Sequence, residues 1–248
     1  MKGLPRAQLE RMLAAGEDIL ECYRVLLKTG DNIVGEVLRD QGTFYEWNHY
    51  PKGDIYDHAS HSQYFYHAHP TELRGGEHGH FHTFLRAKGM SPGVAPAPYD
   101  GDVEWPSGDN ALSHLIGISM DRKGFPITLF AANRWVTGET WYGADDVCDM
   151  IDRFIIDHAR PSWPVNRWVT GMLRLFNPQV VALVRERDNA IEAWRRKHPD
   201  RDVFEDRKLE VTSQRPISVE KQIAGVRAAL AEARPHPDKK KTPPRLGG

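Results

Sequence analysis

Eight of the twelve histidines in this chain fall between His49 and His82. His67 and His69 belong to one alternating stretch, and His78, His80 and His82 to the next, with Asp57, Glu72 and Glu77 among them. Side chains in a strand alternate between faces, so His67 and His69 share a face of one strand and His78, His80 and His82 share a face of its neighbour. An antiparallel register with His69 opposite His78 sets His67 against His80 and Phe65 against His82, and both rows then point the same way. An odd shift or a bulge sends them to opposite faces. Converging imidazoles cannot all be protonated, because like charges repel. A divalent metal resolves that conflict, and imidazole suits zinc and iron. The expected ligands are His67, His69, His78, His80 and His82, not all on one ion. Glu77 or Glu72 is expected to act as a carboxylate ligand or general base.

The two cysteines, Cys22 and Cys148, lie far from this cluster. A thiolate-bound structural site is therefore not expected, and an openly coordinated catalytic centre fits better. The reaction class is metal-assisted hydrolysis or oxygen-dependent oxidation at ferrous iron, on a small-molecule substrate that these residues do not name. Two other readings stay open. One is metal-independent nucleotide hydrolysis or transfer with His80 as nucleophile. The other is a non-catalytic metal-handling or interaction module.

The run HGHFHTF, His78 to Phe84, resembles the histidine-triad nucleotide hydrolases, whose middle histidine attacks a phosphate; here that position is His80. Gly79 and Thr83 stand where that family has apolar residues. His67-x-His69 followed by Glu72 resembles the start of a cupin motif, with a shorter spacing to the glutamate. A broader likeness, centred on residues 45–140, joins HSQYFYHAHP (His61–Pro70) and EHGHFHTF (Glu77–Phe84). That pair resembles a His-rich family of bacterial proteins with no assigned activity, so it implies no residue roles.

Other residues read more plainly. His58 and His61 sit in a loop sequence, DHASHS, and are expected to be solvated. His114 either joins the cluster or is exposed. His49, His158, His198 and His236 read as structural or surface residues, and Tyr64, Phe65 and Tyr66 as sheet packing. Arg74 and Arg86 read as exposed ion pairs, with binding of an anionic substrate the alternative. Cys22 and Cys148 read as inert core thiols.

The elements that must position the cluster follow from periodicity. Apolar residues at three- and four-residue steps predict a helix over Pro5–Leu27, and a short one follows, capped by Asp31. From residue 43 to 141 the pattern turns to two-residue alternation. It predicts strands at Phe44–His49, Gln63–His69, Gly79–Arg86, His114–Met120 and Pro126–Val136. Asp121-Arg122-Lys123-Gly124 predicts a hairpin turn between the last two. The Pro- and Gly-rich stretch Lys88–Asn110 is expected to wall or cover the site. Three helical patterns follow between 143 and 197, and Ser218 caps a last one. The whole reads as one α+β domain over 1–234: helices at 5–40, a five-stranded antiparallel sheet, then helices at 143–234. Residues 235–248 are expected to be disordered. The hexapeptide NRWVTG occurs at Asn133 and at Asn166 with unmatched flanks, and reads as coincidence or as two similar Arg/Trp surfaces.

The chain of 248 residues carries 33 basic and 34 acidic groups. That balance gives no field for nucleic acid, and no apolar run is long enough for a membrane span. The N-terminus lacks the apolar stretch of a signal peptide, so a cytoplasmic location is expected. Oligomeric state stays open.

Overall fold

The computed structural model describes residues 3–70 and 75–233. Glu72 and Arg74 lie outside the described residues, as does the 235–248 tail.

Helix α1 (Arg6–Leu27) buries Leu9, Met12, Ala15, Gly16, Ile19, Cys22 and Leu26, one stripe at helical spacing. Helix α2 (Ile33–Leu38) is capped by Asn32, not by Asp31. The Asn32 side chain accepts from the backbone N–H groups of Val34 and Gly35, while Asp31 accepts from Asn32 itself.

Six strands follow in the order of the chain: β1 (Tyr50–Tyr56), β2 (Ser62–His67), β3 (Gly79–Arg86), β4 (Leu112–Met120), β5 (Pro126–Ala132) and β6 (Val211–Pro216). Each pairs antiparallel with the next, so the sheet order is β1-β2-β3-β4-β5-β6. The α+β class holds, with six strands rather than five. The expected hairpin joins β4 to β5. Its turn is closed by Asp121, whose side chain accepts from Lys123 and Phe125, and by Gly124 at a φ of +81°.

The misplaced strands share a cause. β1 and β6 are the edges of the sheet. β1 carries Pro51 and Gly53, which edge strands tolerate and central strands do not. β6 is a polar, half-exposed TSQR stretch with little apolar alternation. No strand forms at Phe44–His49. β2 ends at His67 rather than His69, and β5 ends at Ala132, where Asn133 caps the single turn α3 (Arg134–Thr137).

Helices α4 (Ala144–Arg153), α5 (Trp163–Leu175), α6 (Asn177–Lys197) and α7 (Val219–Glu232) complete the chain, with Ser218 capping α7. The two NRWVTG copies lie in α3 and α5 and share no environment. One sheet face, with Tyr64, Tyr66, Phe81, Ile116, Ile118 and Leu129, joins Met12, Ile19, Trp168, Val169 and Met172 of α1 and α5 in the main core. The Tyr64 hydroxyl donates to Asn166 Oδ1 of α5 at 2.6 Å. Packing that face inward leaves the alternate residues, Gln63, Phe65, His67, His80, His82 and Phe84, on the other.

Gly117 of β4 sits on that second face, opposite both His82 and Phe130. A Cβ there would run into the Phe130 ring. The missing side chain lets Phe130 lie across β4 and reach His80 and His82, at 5.1 and 5.6 Å between ring centres. Gly117→Ala should therefore lower unfolding free energy by about 1–3 kcal/mol through overpacking. Urea denaturation measures this, and an unchanged midpoint would mean that Phe130 moves away freely.

Candidate metal centre

The register of β2 on β3 sets His67 opposite His80 and Phe65 opposite His82, as the alternation predicts. The two facing imidazoles meet tip to tip, with His67 Nε2 2.6 Å from His80 Nε2. His69 lies just past the end of β2. Its ring stacks on His80 at 5.1 Å and stands edge-on to His67 at 4.9 Å. One ligand nitrogen from each of His67, His69 and His80 falls within 4.8 Å of the others. Ligands of a tetrahedral zinc at 2.0–2.1 Å stand about 3.3 Å apart, between the closest separation here and the outer limit.

Glu77 fixes the direction of the lone pair. Its Oε1 lies 2.5 Å from His80 Nδ1, so that nitrogen holds the proton and donates it to the carboxylate. His80 Nε2 is then the bare nitrogen, turned toward His67. A carboxylate behind a histidine in this way orients a metal ligand and raises its basicity. His80 is buried, while His67 and His69 are half-buried, so the group is reached from one side. On that side Trp47 stands edge-on to His69 at 4.3 Å. Its backbone is at φ +70°, a conformation rare for a bulky residue, and its N–H is held by the carbonyl of Ala68.

Residues 13–217 match the family described as Domain of unknown function (DUF6969). The chain belongs to that family. No curated protein and no solved structure matches it. The DUF6969 span takes in all six strands and every histidine of the group, in keeping with the resemblance carried by the two His-rich stretches.

The other histidines of this DUF6969 member have other polar or stacking partners. His78 precedes β3, and its Nδ1 pairs with the Tyr66 hydroxyl at 2.6 Å. The Tyr66 ring fills the space a side chain at Gly79 would take, and so reaches His78 from the core face. Burial, and then Arg122, hold the His78 imidazole below its ordinary pKa. His82 is fully buried, and its Nδ1 lies 2.9 Å from Nε2 of His114. His114 shares that face because β4 bulges between the partners of Thr83 and Phe84, which sets His114 rather than Leu115 opposite Phe84. His49 stacks on Phe65 at 3.6 Å between ring centres and lies 5.7 Å from the His67 ring. The structure thus gathers the ligand nitrogens of His67, His69 and His80, with Glu77 behind them; His78 pairs with Tyr66, and His82, whose ring stands edge-on to His80 at 4.8 Å and to His67 at 5.2 Å, turns its Nδ1 to His114. His61 pairs with the Tyr56 hydroxyl, and His58 is exposed. The Lys88–Asn110 stretch is strapped down through Tyr99, which stacks on Trp105 and donates to Asp202.

Sequence reasoning missed Trp47, Phe130 and Glu139. Glu139 is fully buried and accepts from the backbone N–H of His114 at 2.6 Å and from the Thr137 hydroxyl. Burial pushes its carboxyl up to about 7, against the pull of Arg187. The His114 imidazole is pushed down to about 3, by burial first and then by Arg187 and His80.

These shifts give opposed pH dependences. A histidine held low in the fold contributes stability above its unfolded value of 6.5, lost as pH falls toward 3. A carboxyl held high contributes stability below 4.5, lost as pH rises through about 7. His114→Gln should therefore flatten the loss of stability between pH 6.5 and 4. Glu139→Gln should gain on the parent protein as pH goes from 4 to 8. Urea midpoints across that range measure both, and parallel curves for all three proteins would contradict the assignment.

Proposed function

We propose that this protein is a metal-dependent enzyme whose ion is held by His67, His69 and His80. The observation that carries the reading is the convergence of three imidazole nitrogens from the end of β2 and from β3, with Glu77 fixing the tautomer of His80. Three neutral histidines leave coordination positions open, which is the arrangement of catalytic rather than structural zinc. A zinc ion in such a site supplies a water of pKa near 7 for hydrolysis, whereas ferrous iron supplies oxygen chemistry. The hydrolytic form stands first, because Glu77 spends its carboxylate on His80 and so serves behind the ligands. The iron-dependent oxidation is the second form of the same reading. A nucleophilic His80 is disfavoured, since both of its ring nitrogens are engaged and its side chain is buried.

The chain's own residues have definable tasks around such an ion. His67 and His69 face the open side, where a small-molecule substrate would approach past Trp47. Phe65 and Phe130 wall the centre with apolar rings and keep water from its inner side. No helix among the described residues is long and apolar enough to cross a membrane.

Protein purified without a histidine tag should carry stoichiometric zinc or iron by elemental analysis. His67→Ala and His80→Ala should both lose it. Glu77→Gln, a gentler change, should weaken metal affinity by about 10–100-fold. Cobalt added to chelator-treated protein should quench Trp47 emission, and Trp47→Phe should remove that response. Retention of metal in both alanine variants would overturn the reading.

A further inference from the structure

A second polar feature lies on the same sheet face, at the other end of β2. Gln63 and His67 are four residues apart on one strand, which separates them by about 13 Å. Around Gln63 opens a cleft of about 480 Å³, lined by Asp54, Tyr56, Arg86, Lys88 and Asp109. Arg86 is half-buried there and, among the described residues, has no carboxylate partner. Its Nε donates to Gln63 Oε1 at 2.7 Å, and its guanidinium lies over the Tyr56 ring at 5.6 Å. The acids of the cleft are committed to other groups. Asp54 accepts from Gln63 Nε2 at 2.7 Å and pairs with His49 Nδ1 at 3.1 Å. Asp109 pairs with Lys88 at 2.7 Å, both side chains standing in solvent.

A half-buried guanidinium without a counter-ion leaves a charge unmatched. Here its orientation is set by a buried amide, which is itself set by Asp54. The terminal N–H groups of Arg86 are left to present the planar fork that matches a carboxylate or phosphate. We propose that this cleft is a binding subsite for a compact oxyanion, carboxylate or phosphate, held by Arg86 with Lys88 at the rim. The run Arg86–Gln63–Asp54–His49 then ends against Phe65 and beside His67, so the subsite and the histidine group are built on one continuous surface. If the metal reading above holds, on which this step rests, its substrate is a small molecule with an anionic end on the order of 13 Å or more from the reacting group.

The test is a titration of inorganic phosphate, and separately of acetate, into chelator-treated and zinc-loaded protein, followed by calorimetry or amide chemical shifts. Saturable binding is expected in both preparations, and the tighter of the two anions identifies the oxyanion class. Arg86→Met should weaken it about tenfold or more, as expected for loss of a charge-assisted hydrogen bond, and Arg86→Lys should fall between. Asp109→Asn, a change at an exposed site, should tighten binding by freeing Lys88, and guards against an Arg86 variant that folds poorly. Anion binding that needs zinc and ignores both the Arg86 and Asp109 substitutions would place the anion on the metal and overturn the proposal. So would no binding in either preparation. Arg86-dependent binding in chelator-treated protein supports the subsite even if the histidines hold no ion.

Discussion

Two imidazole nitrogens 2.6 Å apart cannot both carry a proton. Everything distinctive about the second face of this sheet follows from how that contact is made and kept. It requires His67 and His80 to be direct cross-strand partners, which a one-residue slip of β2 on β3 would abolish by turning one of them into the core. The opposite face enforces the register. Tyr64, Tyr66, Phe81 and Leu85 belong to the core that includes the α1 and α5 helices, and the same slip would exchange residues of that face for Gln63, His67, His80 or His82. The apolar packing on one side thus specifies the polar contact on the other, and Glu77 then decides which nitrogen of His80 holds the proton.

Much of this was legible in the amino-acid pattern. Alternation placed the imidazoles in rows, and the pairing of Phe65 with His82 followed from the same arithmetic as that of His67 with His80. The central strands β3, β4 and β5 were readable because both of their faces are buried and their runs are strongly apolar or aromatic. The edge strands were not, since β1 and β6 have one side without a partner and tolerate Pro51, Gly53 and charged residues. His78 escaped the row for a local reason: Gly79 has no side chain, so the Tyr66 phenol occupies its place and takes the imidazole as a partner. The bulge that carries His114 into the cluster inserts one residue into β4, and no feature of LSHLIGISM announces it. Glu139 and Arg187 arrive from elements far along the chain, where only tertiary packing brings them near.

Filling a sheet face with polar groups has a cost that apolar residues avoid. The side chain chosen for most of these positions explains how the fold tolerates it. Imidazole has an unperturbed pKa close enough to 7 to be held neutral by burial, and its neutral ring offers one donor and one acceptor. His82 and His114 are driven far toward that neutral form by burial, and they satisfy each other across β3 and β4. Aromatic rings fill the rest: Phe65, Phe84 and Phe130 each lie against one or more imidazoles. Arg187, buried over the Trp141 ring and bonded to the Tyr142 carbonyl, supplies the positive potential near Glu139.

Burial varies systematically along this face, and the variation separates sealed histidines from those that solvent reaches. At the β4 side the histidines are sealed, paired and surrounded by phenyl rings, an arrangement that holds β4 on β3. Toward the ends of β2 the same face opens. His67 and His69 become half-buried, Trp47 is forced into an unusual backbone conformation beside them, and at the other end Arg86 lines a cleft. Strained or unmatched groups are tolerated in a native fold where the surrounding packing over-determines them, and they concentrate where a protein meets its ligands. Here they occur at both open ends and the sealed stretch between them is satisfied, so the inner histidines act as the rigid floor on which the outer ones are set.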